Sequence, residues 1–373
     1  MSRSPLVSLK IFHAIFSALG MAPCELQIST ARSSQPTLKF INSRTGCIYN
    51  FVLLIYIAFT VCYLIPNYVT EGLGSLEEKI AKSALATMGN TSAFIIIIYN
   101  AIYQREFVKI GNQLCKFDAK IDLPWTNETF QQLINVSWIT LLWLGVLITE
   151  GFNDFNVWHF LIHVPNSIVC CWLVLQYSLA GKALQMRFQI LNRLFSEVDA
   201  AAGPLESLRN LRATRNFLWK TTRGLSKFYS LTILFAIGNL CFDTVIGVYY
   251  SIAQVLNSSG TKISMDAING FFWTCVQICP IIYLSIAIKR LMKEVCILCQ
   301  SVGIFPRIFL YDEINEFSLE LFHKQIPFTA YGFFSLDCSL LFSIVSTLVT
   351  YEIIAVKFDP PDTEDITPTF SGH

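Results

Sequence analysis

Four ionisable side chains sit inside long apolar runs of this chain: Glu150, His159, His163 and Asp243. Charge is costly in hydrocarbon, so such groups mark binding sites, ion routes or proton relays by default. His159 and His163 stand four residues apart, which puts both imidazoles on one helical face. Even with Glu150 they supply fewer ligands than zinc usually takes, so no metal is assigned. An imidazole that titrates near neutrality leaves pH sensing open. Nearby runs hold Trp143, Phe152, Trp158, Tyr249, Tyr250, Phe272, Trp273 and Gln277. Apolar walls with a few polar anchors suit a small organic ligand. One acid among aromatics favours alkaloid-like compounds over sugars, which want more carboxylates and amides. Each residue also has a plainer reading: Asp243 as a hydrogen bond between helices, the aromatics near run ends as interfacial anchors. No Walker loop, HExxH or GxSxG is present, and scattered Ser, His and Asp do not make a triad. Neither an enzyme nor a cofactor is expected. The 12 cysteines lie in or beside apolar runs or in the basic links between them, and the pairs Cys296/Cys299 and Cys275/Cys279 read as small packing residues.

The elements that position these side chains follow from composition. Apolar residues make up 53% of the 373 and charged residues 14%, against about 25% charged in soluble domains. Mean hydropathy is +0.51. Apolar runs of roughly 20 residues span the hydrocarbon layer as helices, so the chain reads as an all-α integral membrane protein. Seven transmembrane helices are expected, near 46–66, 80–103, 132–152, 157–180, 229–252, 267–289 and 328–356. Of the 27 Lys and Arg, 23 fall in the N-terminal segment and in the links between spans two and three, four and five, and six and seven. Basic loops stay cytosolic, so the N-terminus is expected inside and the C-terminus outside. That direction is the reverse of a G-protein-coupled receptor. Cys279-Pro280-Ile281-Ile282-Tyr283 mimics the NPxxY of such receptors but lacks its Asn. Pro280 is instead expected to kink a helix, its freed carbonyl satisfied by a neighbour.

The cytosolic links carry helical patterning of their own. Residues 181–228 read as two amphipathic helices broken at Gly203-Pro204, with Leu184, Phe188, Leu191 and Phe195 at helical spacing. Residues 290–325 continue likewise through Ile314, Phe317 and Leu321. Spans four to six are thus expected to extend into an anchor bundle, whose apolar face needs either another subunit or its own chain. Ile11 to Gly20 follows Arg3 and Lys10 as a signal peptide would, but His13 interrupts it and basic residues follow. It reads as an uncleaved helix against the membrane surface.

The last run ends in TYEIIAVKFD, residues 350–359. This closely resembles the TYhhhhhQF signature (h apolar) that closes the last helix of insect gustatory receptors, matching at Thr350, Tyr351 and Phe358. Residues 328–337, FTAYGFFSLD, resemble the stretch that leads into that family's seventh span, and Leu19-Gly20-Met21-Ala22-Pro23 is similar to the Gly-x-x-Pro turn of insect chemoreceptors. The resemblance implies a tastant-gated, non-selective cation channel subunit in the plasma membrane of sensory-neuron dendrites. It implies homo- or hetero-tetramers with other gustatory receptor subunits, surrounded by membrane lipid and without nucleic acid. The chain then divides into a cytosolic segment (1–45), helices one to six with their extensions and ligand pocket (46–327), a pore-lining seventh helix (328–358) and an extracellular tail (359–373). Pore and gate positions are Ser346, Thr350, Ile353, Lys357 and Phe358. The tastant site draws on Trp143, Glu150, His159, His163, Asp243, Tyr250, Trp273 and Gln277, with bitter-type ligands favoured. Asp337 matches a family position and is expected to make a structural hydrogen bond.

Two positions depart from the signature: Glu352 is charged where the family is apolar, and Lys357 stands in place of Gln. Four lysines around a pore repel cations. One pair at about 8 Å costs ~0.5 kcal/mol at water's dielectric and ~2 kcal/mol at an effective value of 20. Snorkelling to the interface, pairing with Glu352 or Asp359, or dilution in a mixed tetramer each relieve that repulsion. An odorant-receptor-like subunit and a secondary transporter are the competing readings, the latter disfavoured by the odd span count. Of four N-x-S/T sequons, at Asn90, Asn127, Asn135 and Asn257, only Asn257 falls in an external loop. Glycosidase treatment of the cell-expressed protein is therefore expected to increase its gel mobility, and Asn257→Gln to abolish that shift. A shift that persists in Asn257→Gln reverses the assigned direction.

Overall fold

The structure is a computed structural model, and it describes residues 4–29, 37–71, 76–121, 128–152, 157–197, 204–257, 265–302 and 328–358. The first six expected spans fall on helices, and the seventh does from Cys338 onward. The first is α2 (Arg44–Phe59), which passes through a π turn at Thr60–Leu64 into α3 (Ile65–Glu71). Then come α4 (Leu76–Ile102), α6 (Glu128–Phe152), α7 (Val157–Glu197), α8 (Pro204–Asn257), α9 (Met265–Val302) and α10 (Cys338–Phe358), with the amphipathic α5 (Gln104–Ile121) between α4 and α6. Among the described residues, five helices are long and apolar enough to cross a membrane; α6 and α10 carry shorter apolar stretches, Ser137–Glu150 and Cys338–Thr347. The core runs where α7, α8 and α9 pack together, and α4 and α6 flank it.

Two small hairpins interrupt the all-helical plan. The N-terminal helix α1 (Ser4–Ala18) does more than rest on a surface: it packs against α6, with Phe12 and Phe16 buried and Phe16 edge-on to Trp172 at 6.1 Å. It ends in the expected turn. Gly20 takes φ +74° and the amides of Met21 and Ala22 both return to the Phe16 carbonyl. Strands β1 (Cys24–Ser29) and β2 (Thr37–Asn42) follow as an antiparallel pair. The Asn112 side chain on α5 fastens β2 by taking the Phe40 N–H and donating to its carbonyl, both at 2.9 Å.

The second hairpin corrects the seventh span. Helix starts at Cys338, ten residues later than the expected 328, because β3 (Thr329–Ala330) pairs with β4 (Phe334–Ser335) first. Tyr331 and Gly332 turn the chain with φ of 51° and 82°. Asp337 then caps α10, accepting the Ser339 N–H at 2.8 Å and the Ser339 hydroxyl at 2.5 Å. Its expected structural hydrogen bond is present, at the helix start rather than within a span. Phe328, Ala330 and Leu336 are buried, so the hairpin reads as hydrophobic as a helix does.

Beyond the apolar segments, α7 runs on to Glu197, α8 begins at Pro204, and α9 reaches Val302. Helix α8 thus starts at the expected Pro204; residues 198–203 and 303–325 lie outside the described residues. Leu184, Phe188, Leu191 and Phe195 are fully buried within the chain, so this row packs against its own subunit. Each contributes ~1.5–3 kcal/mol. A bidentate ion pair ties α5 to α7, Arg187 Nε and Nη2 reaching Asp118 at 2.8 and 2.5 Å. Burial nonetheless holds the Asp118 carboxyl above its ordinary value, Arg187 offsetting part of the rise.

Both prolines inside the long helices release a carbonyl that another helix caps. Pro280 frees Val276, whose oxygen takes the Cys171 thiol at 3.5 Å. Pro165 frees Leu161, whose oxygen takes the Tyr56 hydroxyl at 2.9 Å. Tyr56 lies just before the π turn, and its own carbonyl accepts the Thr60 hydroxyl. An unsatisfied carbonyl in hydrocarbon is expensive. Tyr56→Phe is therefore expected to destabilise the purified receptor by ~1–3 kcal/mol, lowering its thermal midpoint by several degrees. Tyr49→Phe, which loses a bond from an exposed hydroxyl to the Ala18 carbonyl, serves as the control. Equal shifts in the two variants refute the assignment.

Candidate functional site

The first polar group lies between α6 and α9. Gly145 lets the helices close: a Cβ there would stand 2.8 Å from two carbons of the Phe272 ring. One turn on, Thr149 and Glu150 face α9. Glu150 Oε1 accepts the Asn269 amide at 2.9 Å and the Trp273 indole N–H at 3.0 Å. The Thr149 hydroxyl lies 2.7 Å from Asn269 Oδ1. Trp143 meets Trp273 edge to face, ring centroids 5.7 Å apart. Its indole N–H is buried and has no partner among the described residues, which leaves a donor suited to an acceptor on a bound molecule. A carboxylate bonded to the Trp273 indole, which in turn meets Trp143, offers charge and aromatic faces together, the combination that binds organic cations.

The second group lies between α7 and α8. Asp243 is buried, and its Oδ2 accepts from Ser167 Oγ at 3.2 Å and from Asn239 Nδ2 at 3.1 Å. Beside it the Thr244 hydroxyl donates to Gln277 Oε1 at 3.2 Å, linking α8 to α9. His163 is buried one turn before Ser167. Among the residues read from sequence, Trp143, Glu150 and Trp273 thus converge, and Asp243 and Gln277 are joined through Thr244. His159 and Tyr250 lie on α7 and α8, but their side chains are outside the described residues, as is that of Asn257 at the end of α8. Sequence reasoning missed Thr149, Ser167, Asn239, Thr244 and Asn269. Helical spacing points to three of them: Asn239 precedes Asp243 by four residues, Asn269 precedes Trp273 by four, and Ser167 follows His163 by four.

Helix α10 packs on α8 and α9 and turns a hydroxyl row outward. Ser339, Ser343, Ser346 and Thr350 are all exposed at steps of four, three and four residues, which keeps them on one face. The Thr350 hydroxyl donates to the Ser346 carbonyl at 2.8 Å. Ile353 continues the row at 52% exposed, and an adjacent row carries Phe342, Val345 and Val349 at 78, 56 and 52%. The side chains of Tyr351, Lys357 and Phe358 lie outside the described residues.

Long apolar helices, five of them among the described residues long and apolar enough to cross a membrane, with polar groups buried between them, define a multi-pass membrane protein. The chain belongs to the 7tm chemosensory receptor family, which it matches over residues 9–360. It is similar to putative gustatory receptor 2a of Drosophila melanogaster, 21% identical over 369 residues that cover 80% of this chain and 86% of the relative. It is also similar to the gustatory receptor for bitter taste 66a of the same species, 28% identical over 173 residues, 44% of this chain and 32% of that receptor. The fold is similar to that of the olfactory receptor OR5 from Machilis hrabei, with a TM-score of 0.61 at 14% identity, covering 94% of this chain and 97% of the other. The structure of that receptor in complex with eugenol matches with a TM-score of 0.56.

Proposed function

We propose that this receptor is a tastant-gated, non-selective cation channel subunit, four copies surrounding a pore lined by α10. The observation that carries the reading is the exposed hydroxyl row Ser339, Ser343, Ser346 and Thr350, on a helix whose other side packs on α8 and α9. Hydroxyls along an exposed helix face suit an aqueous ion route better than lipid. The N-terminus faces the cytosol and the C-terminus the outside, in keeping with the placement of 23 of 27 basic residues.

The ligand site is the Glu150 group, with Trp143 and Trp273 as aromatic walls, and its ligands are small aromatic amines of bitter type. A relative named for bitter taste supports that class. Helix α9 supplies Asn269 and Trp273 to this site and also packs against α10. A ligand that binds better when α9 has shifted therefore biases α10 towards an open arrangement, by its difference in affinity for the two states.

Glu150→Gln keeps the shape of the acid and removes its charge. Half-maximal concentrations for cationic aromatic ligands are expected to rise tenfold or more, equivalent to the ~1.5–3 kcal/mol of a charged hydrogen bond, with responses to neutral ligands little changed. Unaltered dose–response curves to the cations remove Glu150 from the site. At the gate, Lys357→Gln is expected to raise single-channel cation conductance or move the reversal potential. Identical currents from both proteins place Lys357 away from the ion path.

A further inference from the structure

We infer that the seam between α7 and α9, where both leave the membrane on the cytosolic side, binds the phosphorylated headgroup of an anionic phospholipid through Lys182 and Arg290. Lys182 is half-buried; its ammonium donates to the Tyr283 hydroxyl at 2.6 Å and lies 4.0 Å from the centre of that ring. An ammonium carries three donors, so this contact leaves two for a ligand. Arg290 stands seven residues beyond Tyr283, about two turns along the same face of α9. Helical side chains lean back towards the N-terminus, and the Arg290 charge acts on both Lys182 and Tyr283. Among the described residues neither cation makes an ion pair. Glu294, the next acid along α9, accepts instead from Gln189 and Asn192 on α7. A phosphate between Lys182 and Arg290 relieves their repulsion and takes the spare donors.

The exposed face of α9 has the polarity of a phospholipid. Ile282, Ile286, Lys289 and Lys293 are all exposed at steps of four, three and four residues, which makes them one stripe. Its first half is apolar and its second half cationic, and that change marks the depth at which hydrocarbon gives way to headgroups. Neither Lys289 nor Lys293 makes an ion pair among the described residues. With Lys182 and Arg290 they supply more positive charge than a singly charged headgroup balances, and a phosphoinositide with two phosphomonoesters matches them better. Its acyl chains lie along Ile282 and Ile286, its phosphates between Lys182 and Arg290, with Lys289 and Lys293 at the rim. Basic pockets between helices at the cytosolic surface are suited to such headgroups. The leaflet rests on the orientation given under the proposed function.

Native mass spectrometry of the purified full-length receptor in neutral detergent, titrated with dioctanoyl phosphatidylinositol bisphosphate, tests the inference. One lipid per chain is expected at concentrations where dioctanoyl phosphatidylcholine leaves none bound. Lys182→Gln and Arg290→Gln are each expected to weaken binding about fivefold, the share of one basic residue, and the double variant more than tenfold. Lys116→Gln on α5 removes an exposed charge elsewhere and is expected to leave binding unchanged. Where Lys182→Gln does not fold, for want of its bond to Tyr283, the exposed Arg290 keeps the test decisive. Inositol trisphosphate, a headgroup without chains, is expected to compete at least tenfold less well, since it gains nothing from Ile282 and Ile286. Equal competition assigns the site to free phosphate and overturns the lipid. No preference over phosphatidylcholine, undiminished binding in Arg290→Gln, or an equal loss in Lys116→Gln overturns the proposal outright. Detergent opens both ends of the bundle, so the result does not depend on the orientation, which the Asn257 glycan reports separately.

Discussion

In hydrocarbon every polar group must find its partner within the protein, and this requirement organises the whole bundle. Helices satisfy most backbone groups internally, but Pro165 and Pro280 each release one carbonyl. Tyr56 caps the first and Cys171 the second, each from a different helix. The proline positions therefore dictate which helices stand next to which, and at what depth. Tyr56 fixes α2 to α7, and Cys171 fixes α7 to α9. The same rule governs the side chains: Glu150 and Asp243 are tolerated because amides, hydroxyls and an indole face them from neighbouring helices.

These pairings make α9 the shared element. It contributes Asn269 and Trp273 to the Glu150 group, Val276 to the contact with α7, Gln277 to the Asp243 group, and a face to α10. Towards its other end Lys182 on α7 reaches the Tyr283 hydroxyl at 2.6 Å and lies over its ring, 4.0 Å from the centroid. Movement of α9 at one end thus disturbs polar contacts along its length. Packed interfaces of this kind shift between discrete arrangements rather than deforming gradually.

Much of this was legible before the structure. Apolar runs located the long helices, though not the start of the last one, because hydropathy measures the one property the bilayer demands. Gly203-Pro204 and the Gly20 turn were legible because glycine and proline act locally. The hairpin ahead of α10 was not, since Phe328, Ala330 and Leu336 are as apolar as the helix that follows and hydropathy carries no backbone conformation. The π turn at Thr60–Leu64 leaves composition unchanged and was equally invisible. Partners such as Asn269 for Glu150 and Asn239 for Asp243 are ordinary amides until the fold sets an acid beside them. Two of the site's carboxylates stood out in sequence; the neutral groups that determine what each can bind did not.

The two carboxylates therefore differ in kind, although hydropathy makes them equivalents. Glu150 sits against α9 beside the Trp273 indole, which meets Trp143, whose N–H has no partner among the described residues. That setting presents charge together with broad aromatic surface, and only an organic molecule can use both. Asp243 sees only a hydroxyl and an amide, from Ser167 and Asn239. Ser167 on α7 donates to Asp243 on α8, so the acid ties those two helices together through neutral donors rather than through an opposite charge.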